Sequence, residues 1–330
     1  MAWLRRASLQ CLGLLVLALA LWQEPAPAQD YPARPVSIAV PYAAGGGVDV
    51  VTRLVAQKLT ERLGQAFIID NRLGAGGLIA SSYVAKAAPD GHTLLLGTDA
   101  QLAAQVTLRK ALPYDPVKDY VPVALIGNTP FGLIVSSSLP AQSVNDLIRL
   151  AKEHPGKISY GSSGAGGIPH LLAELFMSMT GTTMTHVPYK GTAEALRDVV
   201  AGHVPVTFSG LVPVVGLIKE GKIRVLGVTS TRRVPVMPDV APIAESGVPG
   251  FEAVAWLMIV APAGTPKPIV DRLHKEIAAI TQLPDTHDQF AKVGYLPPDP
   301  TPQERLTDLI KTEINRWGKV IEGGGFARTQ

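Results

Sequence analysis

Apolar runs of strand length alternate with helically spaced apolar positions along most of the chain, the pattern of α/β layers with mainly parallel strands. Val36-Ser37-Ile38-Ala39-Val40 reads as the first strand. From about Asp49 to Leu63 the residues Val51, Leu54, Val55 and Leu59 form a helical stripe that Gly64 ends. Phe67-Ile68-Ile69 is a short strand, followed by a helix through Lys86, the turn Asp90-Gly91 and strand Thr93-Leu94-Leu95-Leu96. Leu133-Ile134-Val135 reads as a crossing into a second domain. There Ser143 caps a helix that stops at His154-Pro155-Gly156. Strands at 157–160, 184–187, 204–208 and 223–228 alternate with helices over 192–200 and near 213–220, and Ala255 to Val260 reads as the return crossing. The tail is helical: Thr265-Pro266 and Thr301-Pro302 each put a capping residue before a proline, and Glu304 would complete a capping box. Leu306, Leu309, Ile310, Ile314 and Trp317 give the last helix its buried stripe. A chain that leaves one domain, builds another and returns makes a hinge with a cleft. The expected fold class is therefore α/β, two α/β domains joined by two crossing strands. Domain 1 is 29–132 with 252–330, and domain 2 is 133–251.

Three glycine-rich turns interrupt this pattern. Pro41-Tyr42-Ala43-Ala44-Gly45-Gly46-Gly47-Val48-Asp49 and Gly161-Ser162-Ser163-Gly164-Ala165-Gly166-Gly167 each follow a strand and open onto a helix. Glycine lets backbone approach a bound group closely, and the unpaired N–H groups of a helix start attract anions. Two such ends, about 120 residues apart, can face one another across a cleft and hold a carboxylate. The third turn, Gly74-Ala75-Gly76-Gly77, fits either ligand binding or simple packing of its helix, and the sequence leaves both open.

The first 28 residues read as a secretory signal: Arg5 and Arg6, an apolar stretch from Cys11 to Leu21, and the small-residue site Ala26-Pro27-Ala28, so the mature chain begins near Gln29. The apolar stretch is short of the ~20 residues a membrane span needs. Cys11 is the only cysteine and leaves with the leader, so the mature protein has no disulfide, thiolate nucleophile or cysteine metal site. The chain has 30 basic and 27 acidic residues; without Arg5, Arg6 and Glu24 the balance is 28 to 26. That near-neutrality argues against a nucleic-acid binder or a polybasic membrane-surface protein.

Tyr31-Pro32-x-Arg34-Pro35, the 41–49 turn, Asn71-Arg72-x-Gly74-Ala75-Gly76-Gly77, Ala88-Pro89-Asp90-Gly91, Leu112 to Asp119, His186-Val187-Pro188-Tyr189-Lys190-Gly191 and Ala261 to Pro266, taken in order, resemble the Bug/TctC proteins. These are extracytoplasmic solute receptors of tripartite tricarboxylate transporters, and the likeness spans essentially the whole mature chain. The resemblance implies a type II periplasmic-binding-protein fold, a periplasmic location, a small-molecule carboxylate as ligand, the transporter's membrane subunits as partner, and a monomer without a cofactor. It also implies a ligand carboxylate held between the first and fourth strand–helix loops, which are Tyr42 to Asp49 and Ser162 to His170 here. The candidates are accordingly Tyr42, Ala44, Gly46, Gly47, Asp49, Thr98, Ser162, Gly164, Gly166 and His170, with Tyr189, Ser209 and Trp256 as further pocket residues. Val48 stands where the family usually has Thr, and Ser209-Gly210 where it often has Asp-Asn. The missing acid removes a partner for a ligand ammonium.

Each candidate also has a purely structural reading. Trp256 fits a pocket wall or ordinary core equally well, and His170, at a helix start, reads as a structural hydrogen-bonding residue rather than a metal ligand. Enzyme motifs fail on inspection. Gly161-Ser162-Ser163-Gly164-Ala165 lacks the last glycine of a nucleophile elbow, and Gly216 to Ile223 lacks the Ser/Thr of a phosphate loop. Two readings stand beside transport: a ligand sensor of the same fold feeding a signalling partner, and an exported hydrolase using Ser162 or Ser163 with His170.

Overall fold

The computed structural model describes residues 31–330; the leader expected at 1–28 and its cleavage site fall outside them. The chain builds two α/β lobes, each around a five-stranded sheet. In the first, β1 (Val36–Val40) lies between β2 (Phe67–Asn71) and β3 (Thr93–Thr98), both parallel to it. Then come β10 (Ala255–Pro262), antiparallel to β3, and the edge strand β4 (Tyr120–Thr129). The second sheet repeats the scheme. Its β6 (Ser159–Ser162) lies between β7 (Thr185–Pro188) and β8 (Val206–Gly210), followed by β5 (Phe131–Ser136) and β9 (Ile223–Val228). β1 and β6 therefore hold the same place in their sheets, and the glycine turns that follow them are topological counterparts. Both leave the carboxyl ends of parallel strands, where α/β sheets form ligand crevices.

Burial explains the layers. Val36, Ile38, Ala39 and Val40 of β1 are all buried, as a strand covered on both faces requires. Helix α1 (Gly47–Leu63) packs Val51, Val55 and Leu59 with Leu273 and Ile277 of a later helix (Lys267–Thr281). Gly64 ends it in the left-handed region, φ +74°, its N–H bonded to the Thr60 carbonyl. The last helix (Leu306–Gly323) straddles the lobes: Leu306 and Ile310 join a core of the first sheet, while Trp317, Val320 and Ile321 pack with Phe176, Phe208 and Phe251 of the second.

Several local expectations need correction. The segments read as crossing strands lie wholly inside sheets: 133–135 within β5 and 255–260 within β10. The chain crosses at Pro130, between β4 and β5, and through 229–254. Pro122 interrupts the strand pattern of β4 in the sequence; an edge strand tolerates the missing donor. Ser143 does cap its helix, accepting from the Asp146 amide at 3.1 Å. Thr265 and Thr301 do not: their hydroxyls donate backward to the carbonyls of Pro262 and Asp299. Pro266 and Pro302 occupy the cap positions themselves, so no capping box forms.

Candidate functional site

Both motif loops open helices that no side chain caps. Gly46 precedes α1 and Gly167 precedes the helix Ile168–Thr180, so the first-turn amides have no intrahelical or capping partner; in the second helix these are the amides of Ile168 and His170, since Pro169 has none. Residues of both loops line one cleft between the lobes, of about 500 Å³. Pro41 and Tyr42 come from the first loop, Ser163 and Ala165 to Pro169 from the second.

The first loop is held from behind. Asp49 accepts at Oδ2 from the Gly45 amide (2.9 Å) and Arg53 Nε (2.8 Å), and at Oδ1 from Asn71 Nδ2 (2.8 Å). Burial opposes its ionisation, but the bonds from Arg53, Asn71 and Gly45 prevail and hold the carboxyl below the usual range. Asp49 is buried and fully engaged, so it braces the loop. Ala44 and Gly46 lie on the exposed part of the same loop, and Gly47 backs onto the Tyr295 ring. The Tyr42 hydroxyl is 3.0 Å from Thr98 Oγ1, and Thr98 donates to Gln101 Oε1 at 2.7 Å. Thr98 is buried and reaches the cleft only through Tyr42 and Gln101.

In the second loop most predicted residues form the frame. Ser162 is fully buried, with Oγ 2.6 Å from His186 Nε2 and accepting from the Gly164 amide. His170 Nδ1 accepts from the Gly166 amide at 2.9 Å, and its Nε2 faces Glu174 at 3.5 Å. The two imidazoles stack at 4.1 Å. Among the described residues, therefore, neither Ser162 nor Ser163 is hydrogen-bonded to His170 as a hydrolase would need. Ser163, not Ser162, lines the cleft.

Three candidates sit elsewhere. Tyr189 donates its hydroxyl to Asp198 at 2.6 Å and packs against the core cluster of Ile134, Leu196 and Val199. Ser209 lines a separate cavity with Leu196 and Leu217. Trp256 is buried in a core of the first lobe and borders a different cavity with Asn128 and Leu309. Ser209 and Trp256 lie on strands β8 and β10 but are not among the residues lining this cleft, a matter of sheet geometry the motif cannot convey.

The sequence reading missed one wall. Gln101 and Gln105 donate to the Gly76 carbonyl (3.0 and 2.7 Å) and Arg109 donates to the Ala75 carbonyl (3.1 Å), binding the third glycine turn to the segment that follows β3. All three line the cleft with Gly74, Gly76 and Gly77. Gly77 needs to be glycine because its φ is +95°, and a Cβ there would also stand 2.6 Å from Gln101 Nε2. The four-residue spacing of 101, 105 and 109 was the available signal. Residues 326–330 complete the site: Phe326 packs on His170 at 4.4 Å, and Gln330 Nε2 donates to the Ala165 carbonyl at 2.5 Å.

Comparison with known proteins gives a consistent result. The family model described as "Tripartite tricarboxylate transporter family receptor" matches residues 51–326. BugT of Bordetella pertussis is 36% identical over 94% of this chain and 95% of its own. Among solved structures, Rpa4515 of R. palustris with adipate superposes with a TM-score of 0.78 at 40% identity, covering 90% of this chain and 99% of that one. MatC (Rpa3494) from Rhodopseudomonas palustris, with bound malate, gives 0.74 at 35% identity over 88% and 100%. This chain belongs to the tripartite tricarboxylate transporter receptor family, the Bug/TctC proteins.

Proposed function

We propose that this protein is a periplasmic solute receptor that captures a small carboxylate between loops 41–49 and 161–170 and delivers it to the membrane subunits of a tripartite tricarboxylate transporter. One observation carries the reading: two topologically equivalent loops of the two lobes, each leading into a helix start without a side-chain cap, line the same cleft, the first through Pro41 and Tyr42 and the second through Ser163 and residues 165–169. Such ends favour an anion through their free amides and aligned dipoles. The ligands named for two structural relatives, adipate and malate, are carboxylates of a size such a cleft holds. In this reading the lobes are 29–132 with 252–330 and 133–251, the leader is removed, and the protein acts as a monomer without cofactor or turnover. Tyr42, Ser163 and the loop amides meet the ligand, while Asp49, Ser162 and His170 hold the loops in shape.

A thermal-shift screen against mono-, di- and tricarboxylates tests the proposal. A ligand at 100 times its dissociation constant adds ~2.7 kcal/mol of stability, a shift that is readily measured. No stabilisation by any carboxylate, from a protein shown to be folded, overturns it.

A further inference from the structure

We propose that Arg109 reads the second carboxylate of a dicarboxylate ligand, making the cleft selective for dianions over monoanions of equal length; this rests on the carboxylate reading above. Arg109 is the one charged side chain among the described residues lining the cleft. One of its five donors is spent on the Ala75 carbonyl at 3.1 Å, its Nε is shielded from water without a hydrogen-bond partner, and no ion pair involves it among the described residues. A guanidinium with unused donors in a partly dry site is poorly satisfied until an anion arrives. Its planar fork suits a carboxylate in particular.

Its placement is prearranged. The Arg109 N–H bonds to the Gln105 carbonyl at the end of the helix Gln105–Leu108, and Gln101, Gln105 and Arg109 are all anchored to the third glycine turn. This wall is built from different elements than the two helix starts. A ligand with one carboxylate on the helix starts leaves Arg109 unpaired, whereas a second carboxylate on the same ligand satisfies it.

Calorimetry on the full protein with succinate, glutarate, adipate and suberate, each beside its monomethyl ester, provides the test. In the tightest-binding pair the diacid is expected to bind about tenfold to a hundredfold tighter than its ester, the range of a charged hydrogen bond. Arg109→Gln should abolish that preference by weakening the diacid much more than the ester, and Arg109→Lys should restore part of it. Equal affinity of diacid and ester for the unaltered protein overturns the inference without needing any variant. So does an equal loss for both ligands in Arg109→Gln, since Arg109 would then hold the only carboxylate or merely brace the turn. If other carboxylates bind but none of these does, this inference alone falls; if no carboxylate binds, the carboxylate reading falls with it.

Discussion

Phe131 and Thr229 are joined by two hydrogen bonds where the two crossings run side by side. The Phe131 N–H donates to Thr229 Oγ1 and the Thr229 N–H to the Phe131 carbonyl, each at 2.9 Å. The Thr229 carbonyl in turn accepts from the Ala253 amide at 2.9 Å. With Pro130 beside it, this is a narrow strap between the lobes, and rotation about it would close the cleft. The last helix, anchored in both cores through Ile310 and Trp317, limits the amplitude. A saturating carboxylate should reduce the radius of gyration in small-angle scattering; an unchanged value with binding confirmed would mean a rigid or already closed cleft. Thr229→Val leaves the Phe131 donor unpaired and should cost about 1–3 kcal/mol of stability, read from denaturant midpoints.

The helix-start clamp has a test that separates binding from folding. A side chain at Gly47 would strike Tyr295 at 2.8 Å, and one at Gly166 would strike Leu108 at 2.7 Å with φ at +73°, so both report strain. Gly46 is free of this: its φ is −72°, its ψ 162°, and an added Cβ meets nothing closer than 3.5 Å. Gly46→Asp supplies the missing cap, so the fold should be as stable or a few tenths of a kcal/mol more so. The new carboxylate then occupies the amides the ligand needs, and affinity should drop at least tenfold, about 1.4 kcal/mol. Unchanged affinity would remove the first helix start from the site.

Much of the fold was legible because the two periodicities were clean: α1, β1, β3 and β9 fall close to where Val51, Val55, Leu59 and the apolar runs put them. The two principal glycine turns were legible for the same reason, since each sits at a strand-to-helix junction. What the sequence concealed was direction. Nothing local says that Ser162 points into the lobe and Ser163 into the cleft, or that Trp256 faces a core, because those facts depend on sheet register and on what covers each face. The Arg109 wall was hidden because it begins with the π-helical turn Ala100–Ala104, whose residues are apolar apart from Gln101 and so show no polar face against an apolar one. The contribution of residues 326–330 is a long-range contact with no local trace.

The stacked histidines predict a pH dependence. Burial and the neighbouring His170 push His186 down from 6.5 to about 4, with Glu174 only partly opposing them. Between those values the unfolded chain binds a proton that the folded protein refuses, so stability should fall as pH drops from about 6.5 toward 4 and be flat above. In the protonated form His186 Nε2 can only donate to Ser162 Oγ, 2.6 Å away, which leaves the hydroxyl hydrogen to the Gly164 carbonyl. Thermal melts across that window should show the slope, and His186→Gln should flatten it. A wild-type slope retained in the variant would assign it to other groups.

Selectivity against amino acids follows from what surrounds the ligand. Aspartate and succinate differ by an α-ammonium, which must shed water on entering the cleft. That costs several kcal/mol unless an acidic side chain receives it, and a charged hydrogen bond returns only ~1.5–3 kcal/mol. Ser209 has its hydroxyl on the Gly210 carbonyl and lines another cavity. Asp49 is held by Arg53, Asn71 and Gly45. No acidic side chain is among the described residues lining the cleft, and the charge that is there, Arg109, would repel a cation. Succinate and glutarate should therefore bind at least tenfold tighter than aspartate and glutamate in competition calorimetry. If either amino acid binds tighter than its des-amino analogue, a carboxylate must reach the cleft on closure. Asp49 would be the first to examine, released from Arg53, and Asp49→Asn should then abolish the amino-acid preference.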